Sequence, residues 1–183
     1  MRKKVLLIGL ALVLALAVVG SAAVLAKPEK SAGATPFTGE GFVYVTEMPD
    51  PIYQGSTLRF TDERVEGYVA CDWPDLALAS FDSYHDSIVK VDKAGRANGT
   101  MHGTFTLITE AGILEGTFHA RISGDLFTWQ IIDEGVWKGT SGTGVFEGVK
   151  AWGSLSAELE WNDDLGTLAG PLTWDGKYIS AKE

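Results

Sequence analysis

Residues 149–161 read VKAWGSLSAELEW. Val149, Ala151, Gly153, Leu155, Ala157, Leu159 and Trp161 share one parity, and Lys150, Ser154, Ser156, Glu158 and Glu160 share the other. Alternate residues of a strand point to opposite faces, so this pattern predicts a strand buried on one side only. Residues 162–166 (NDDLG) then form a turn, and Leu168, Gly170, Leu172 and Trp174 continue the alternation on a returning strand. Pro171 cannot donate to a β-ladder, which predicts an edge or a bulge at that point.

The same reading extends outward. Residues 99–108 and 113–122 flank a turn around Glu110-Ala111-Gly112 and predict a second hairpin. Met101, Phe105 and Leu107 are expected inside on the first strand, with Phe118, Ala120 and Ile122 inside on the second. His102, His119, Lys150 and Glu158 are expected outside. Further strands are predicted over 41–46, 57–61, 65–70, 87–91, and 127–132 running on to 135–138. Phe127, Trp129, Trp161 and Trp174 follow core parity, whereas Trp152 interrupts the polar side. Strands this short and this numerous suit an all-β fold, a single antiparallel closed β-barrel of about eight strands over residues 39–183.

The N-terminus is of another kind. Arg2, Lys3 and Lys4 precede an uncharged apolar run over residues 5–25 that ends in small residues, the layout of a secretory signal. Cleavage after Ala26 is the preferred reading, with a site at Ser21-Ala22-Ala23 as the second choice; an uncleaved membrane-anchor helix is the rival, because the run is long enough to span a bilayer. Either way residues 27–183 lie outside the cytoplasm, secreted or tethered. Residues 27–38 (KPEKSAGATPFT) suit a flexible linker.

Loss of residues 1–26 would remove three of the 15 basic residues and none of the 24 acidic ones, leaving 12 against 24 and a charge of −12. Such a chain repels nucleic-acid phosphates and anionic lipid surfaces, so no nucleic acid is expected as a partner, and the membrane is met only through an uncleaved N-terminal segment. Cys71 is the single cysteine, which excludes an intrachain disulfide and predicts a small buried side chain. An outer-membrane barrel is disfavoured by the acidic polar face and by a C-terminus, residues 177–183, without a terminal aromatic.

The phrases Gly103-Thr104-Phe105 and Gly116-Thr117-Phe118, followed by Gly142, Thr143, Gly144, Phe146 and Gly148, resemble the allene oxide cyclase and dirigent-type barrels over about a third of the chain. The resemblance implies a barrel with an apolar cavity, in some members one that holds a reactive intermediate while a ring or bond forms. No catalytic residue of those families falls on a matching position here.

Candidate site residues come from aromatics and from the segment 72–86. Asp72-Trp73-Pro74-Asp75 and Asp82-Ser83-Tyr84-His85-Asp86 are read as a loop at a barrel mouth, since Asp, Ser and Pro favour turns. Trp73, Tyr84 and His85, with the interior Phe105, Phe118 and Trp129, are the expected ligand contacts. His102 and His119 sit on the polar face and are expected to be solvated; no metal site and no cofactor is expected. The functional expectation is a ligand-binding barrel for a small apolar or aromatic molecule. The alternatives are a cofactor-independent cyclase or isomerase, marked by an ionisable residue at interior parity, and a cell-surface interaction domain.

Overall fold

The computed structural model describes residues 33–181, so the N-terminal segment read as signal or anchor lies outside the described residues. Ten strands follow one another: β1 (Thr35–Phe37), β2 (Gly39–Glu47), β3 (Ile52–Gln54), β4 (Thr57–Cys71), β5 (Ala79–Val91), β6 (Arg96–Thr109), β7 (Gly112–Asp125), β8 (Gln130–Gly142), β9 (Lys150–Asn162) and β10 (Thr167–Ile179). Strands adjacent in sequence pair antiparallel from β4 through β10, and β10 also pairs with β2, which pairs with β4. Eight strands therefore close into a barrel with no free edge, and β1 and β3 are short additions to β10 and β4. Among the described residues the helical content is two single 3-10 turns, Pro74–Leu76 and Gly144–Phe146.

Interior positions follow the alternation: Met101, Phe105 and Leu107 on β6, Leu114, Phe118 and Ile122 on β7, Ala157 and Leu159 on β9, Leu172 and Trp174 on β10. Their centre is aromatic. Trp137 stacks on Trp174 at 4.6 Å, and Phe105 meets Trp174 edge-on at 5.0 Å. Toward the end of the barrel formed by the β4–β5 connection the packing continues through Phe37, Trp73, Phe146 and Tyr178, with Trp73 stacked on Tyr178 at 4.1 Å. These rings fill the barrel interior at its middle and at that end.

Glycine makes room for the rings. A Cβ on Gly116 would overlap both the Phe105 ring and the Lys138 carbonyl oxygen, so the phenyl group lies against bare backbone. Gly116→Ala is expected to cost about 1–3 kcal/mol through forced repacking, read as a lower urea midpoint; an unchanged midpoint would mean the ring has somewhere else to go.

The structure corrects several expectations. Residues 79–86 are not loop: β5 begins at Ala79, and only residues 72–78 connect the strands. The break expected around 62–64 is also strand, containing a bulge, and β8 begins at Gln130, so residues 127–129 of the expected strand belong to the preceding turn. Phe127, Trp129 and Trp161 are exposed because they lie at or beside turns, where parity no longer implies cover; Leu155, mid-strand on β9 opposite Trp174, is half-buried. Thr35–Phe37 of the expected linker forms β1, and Phe37 is buried. Pro171 sits in a closed barrel and not on an edge; β9–β10 pairing skips it and Gly170, which accommodates the missing N–H. Cys71 is half-buried with Sγ 3.0 Å from the Leu76 carbonyl oxygen, and burial raises its thiol pKa, which keeps it a poor nucleophile.

Candidate functional site: an acidic cavity at one end of the barrel

A cavity of about 510 Å³ opens at the end of the barrel where β5 turns into β6 and β7 into β8. Its walls are largely apolar, with Val65, Val89, Met101, Ile122, Leu159 and Leu168 among them, and Tyr53, Phe127 and Trp129 stand at its exposed rim. Four inward polar side chains interrupt the lining, Glu63, His85, Ser87 and Asp133, and the exposed Asp92 stands at its mouth, paired with Arg96.

Local backbone accounts for each. On β4 the register shifts between Phe60 and Glu63, so that two residues, Thr61 and Asp62, oppose the single Asp86 of β5. Asp62 adopts φ +58° and its N–H donates to Asp86 Oδ1 at 3.1 Å. This bulge switches the inward parity from Leu58 and Phe60 to Glu63 and Val65, which turns the Glu63 carboxyl into the barrel. On β5 the inward set is Phe81, Ser83, His85, Ser87 and Val89. On β8 it is Ile131, Asp133 and Trp137.

The four groups are unequally satisfied. Ser87 Oγ donates to Glu63 Oε2 at 2.6 Å. His85 Nε2 lies 3.5 Å from the same oxygen, and its ring meets the edge of Phe118. His85 Nδ1 and Asp133 Oδ1 are buried without a hydrogen-bond partner, and Asp133 is only 7% exposed. An unpartnered buried polar atom costs about 1–3 kcal/mol, so it calls for an explanation.

Burial governs their protonation. Asp133 is pushed up to about 7, first by desolvation and then by the charge of Glu63. Glu63 is also raised, by burial most of all, against the lowering effect of the Ser87 hydroxyl. Burial lowers His85 to about 4, outweighing the pull of Asp86, so at neutral pH His85 and Glu63 form a neutral imidazole beside a carboxyl and not an ion pair. The site can accept hydrogen bonds, and near neutrality it can hold or release a proton at Asp133.

Of the residues expected from sequence, His85 and Trp129 line this cavity. Phe118 touches His85, and Phe105 lies in the aromatic stack. Tyr84 points outward, 44% exposed, beneath the Arg64 guanidinium at 5.3 Å. Trp73 is buried at the opposite end. Glu63, Ser87 and Asp133 were not anticipated: the strands legible in the sequence offer no ionisable residue at interior parity, and the structure places Glu63, His85 and Asp133 there. The signal existed for two of them: Asp133 has the parity of Ile131 and Trp137, and His85 that of Ser87 and Val89. His102 and His119 pair directly across β6 and β7 on the outer face, both exposed.

No protein-family model matches the chain, and no curated protein sequence matches it. Among solved structures a match is the pterocarpan synthase dirigent protein PsPTS1, 14% identical, covering 80% of this chain and 97% of that chain with a TM-score of 0.30. A likeness that faint adds nothing to the barrel already described.

Proposed function

We propose that this chain is an exported β-barrel that binds a small, mostly apolar molecule in the cavity between β4, β5 and β8. The observation that carries the reading is the lining itself: about 510 Å³ of mainly apolar wall interrupted by Glu63, His85, Ser87 and Asp133. Specific small-molecule pockets combine apolar contact area with a few oriented polar groups in this way. Entry is at the rim of Phe127 and Trp129, since aromatic packing fills the end that holds Trp73. Export rests on the basic and apolar N-terminal sequence.

Trp129 supports an open rim. It is 45% exposed and adopts φ +54°, a left-handed conformation that disfavours residues other than glycine. Strain of this kind concentrates at ligand clamps. Native mass spectrometry of the protein isolated from its own host is expected to reveal a co-purifying small molecule. Trp129→Gly, which suits the backbone while removing the ring, is expected to weaken its retention about tenfold, an indole contact of roughly 1.4 kcal/mol, without loss of stability. An empty barrel, or retention indifferent to Trp129, would sink the proposal.

A second reading is favoured by Asp133 titrating at about 7: an acid–base catalyst of the isomerase or cyclase kind. Conversion of the co-purified molecule by the parent but not by Asp133→Asn would select it.

A further inference from the structure

The deep polar groups of the cavity are weighted toward acceptors and acids, Glu63, Asp133 and a neutral imidazole, whereas its donors outside Ser87 stand at the rim, on Tyr53 and Trp129. Among the described residues lining it there is no lysine or arginine. The Ser87 hydroxyl, a donor, is already committed to Glu63. What remain are the unpartnered Asp133 Oδ1 and His85 Nδ1, with the Glu63 carboxyl beside them. A carboxylate has only acceptor atoms and a neutral imidazole has one acceptor nitrogen, so both are matched by a group that only donates. An ammonium supplies three donors and no acceptor, and its charge offsets the cost of ionising a carboxyl in an apolar enclosure. The rim repeats the preference: Tyr53, Phe127 and Trp129 offer aromatic faces, which attract cations.

We infer that the ligand of this cavity is a small apolar molecule carrying a protonated amine, with the ammonium held by Asp133, Glu63 and His85 and the apolar body against Val89, Met101 and Leu159. The inference rests on the ligand-binding reading above and specifies its chemistry. Binding expels the proton from Asp133. The titratable groups deep in the cavity with Asp133 are Glu63 on β4 and His85 on β5, while Tyr53 and the Arg96-paired Asp92 stand at its mouth; the register neighbours of Asp133, Ile122 on β7 and Ala157 on β9, carry no charge. Asp86 and His102 act on this cluster from the outer face. Since Asp133 titrates at about 7, affinity for an amine that stays protonated rises about tenfold from pH 6 to pH 8, as the deprotonated fraction of one such carboxyl does.

The test uses the full chain, isothermal calorimetry, and three probes of similar shape: 2-phenylethylamine, 2-phenylethanol and 3-phenylpropanoate. The amine is expected to bind at least tenfold tighter than the alcohol at pH 8, with proton release seen as a dependence of the heat on buffer ionisation, and the carboxylate not to bind. Asp133→Asn is expected to abolish the preference and the pH dependence while keeping the alcohol's affinity. Glu63→Gln serves as a second variant should Asp133→Asn misfold, and is expected to reduce the preference severalfold. Alcohol binding as tight as the amine's, or a preference unchanged in the variants, would overturn the inference and leave the cavity reading standing. No binding by any probe at millimolar concentration would overturn both.

Discussion

Asp133→Asn is expected to unfold at higher urea than the parent at pH 8 and at nearly the same urea at pH 4. The folded-state pKa of Asp133 stands at about 7 against an ordinary 3.8. Between those values the folded state binds more protons than the unfolded chain, so stability falls as pH rises through the window and the whole penalty is present above it. A shift of about three units corresponds to roughly 4 kcal/mol, the upper bound on the gain from removing the charge. Glu63, also raised, adds a contribution of the same sign. His85 acts in the opposite sense. Its folded pKa of about 4 lies below the ordinary 6.5, so the unfolded chain binds more protons and stability rises with pH between about 4 and 6.5. In the parent these slopes oppose each other up to about pH 6.5, after which the His85 gain is complete and the carboxyl loss is unopposed. Without Asp133 the His85 rise is opposed by Glu63 alone. Urea denaturation at half-unit steps from pH 4 to pH 8 reads both curves; parallel curves would show that Asp133 is solvated and the cavity wetter than its lining implies.

Trp174→Ala is expected to cost about 3–5 kcal/mol, the range for deleting a large buried aromatic side chain. Trp174 is 0% exposed and touches Trp137, Phe105 and Phe81, so its removal strips three rings of a common partner. Trp174→Phe is expected to cost well under half as much. It keeps a ring in the stack and removes an indole N–H that is buried without a partner, recovering part of a desolvation cost of about 1–3 kcal/mol. Urea midpoints of the two variants at pH 6 give the comparison. Equal losses would mean that the indole nitrogen is satisfied and the stack is not what holds the barrel centre.

The polar cluster was hard to read in advance for a reason common to its members. Glu63 fell in a break between two expected strands, His85 in an expected loop, and Asp133 in the gap between 127–132 and 135–138. Alternation identifies a strand by apolar residues at every second place, and an ionisable group at an inward place looks like the end of the strand. For Glu63 parity could not have helped, since the bulge at Thr61-Asp62 reverses which residues face inward. Tyr84 and Trp73 were drawn into the expected site by proximity in sequence, whereas β5 sends Tyr84 outward and the β4–β5 connection carries Trp73 to the far end.

Local order was written in the chain. The hairpins β6–β7 and β9–β10, the burial of Met101, Phe105 and Phe118, and the outward turn of His102 and His119 follow from period-two alternation and turn residues, which act between near neighbours. The tertiary structure decided what depends on distance across the barrel: that β10 closes against β2, that the aromatic rings settle toward one end and leave a cavity at the other, and that Glu63, His85 and Asp133 from three strands share it. Shared desolvation and mutual charge give those groups their chemistry, and neither exists until closure removes them from water.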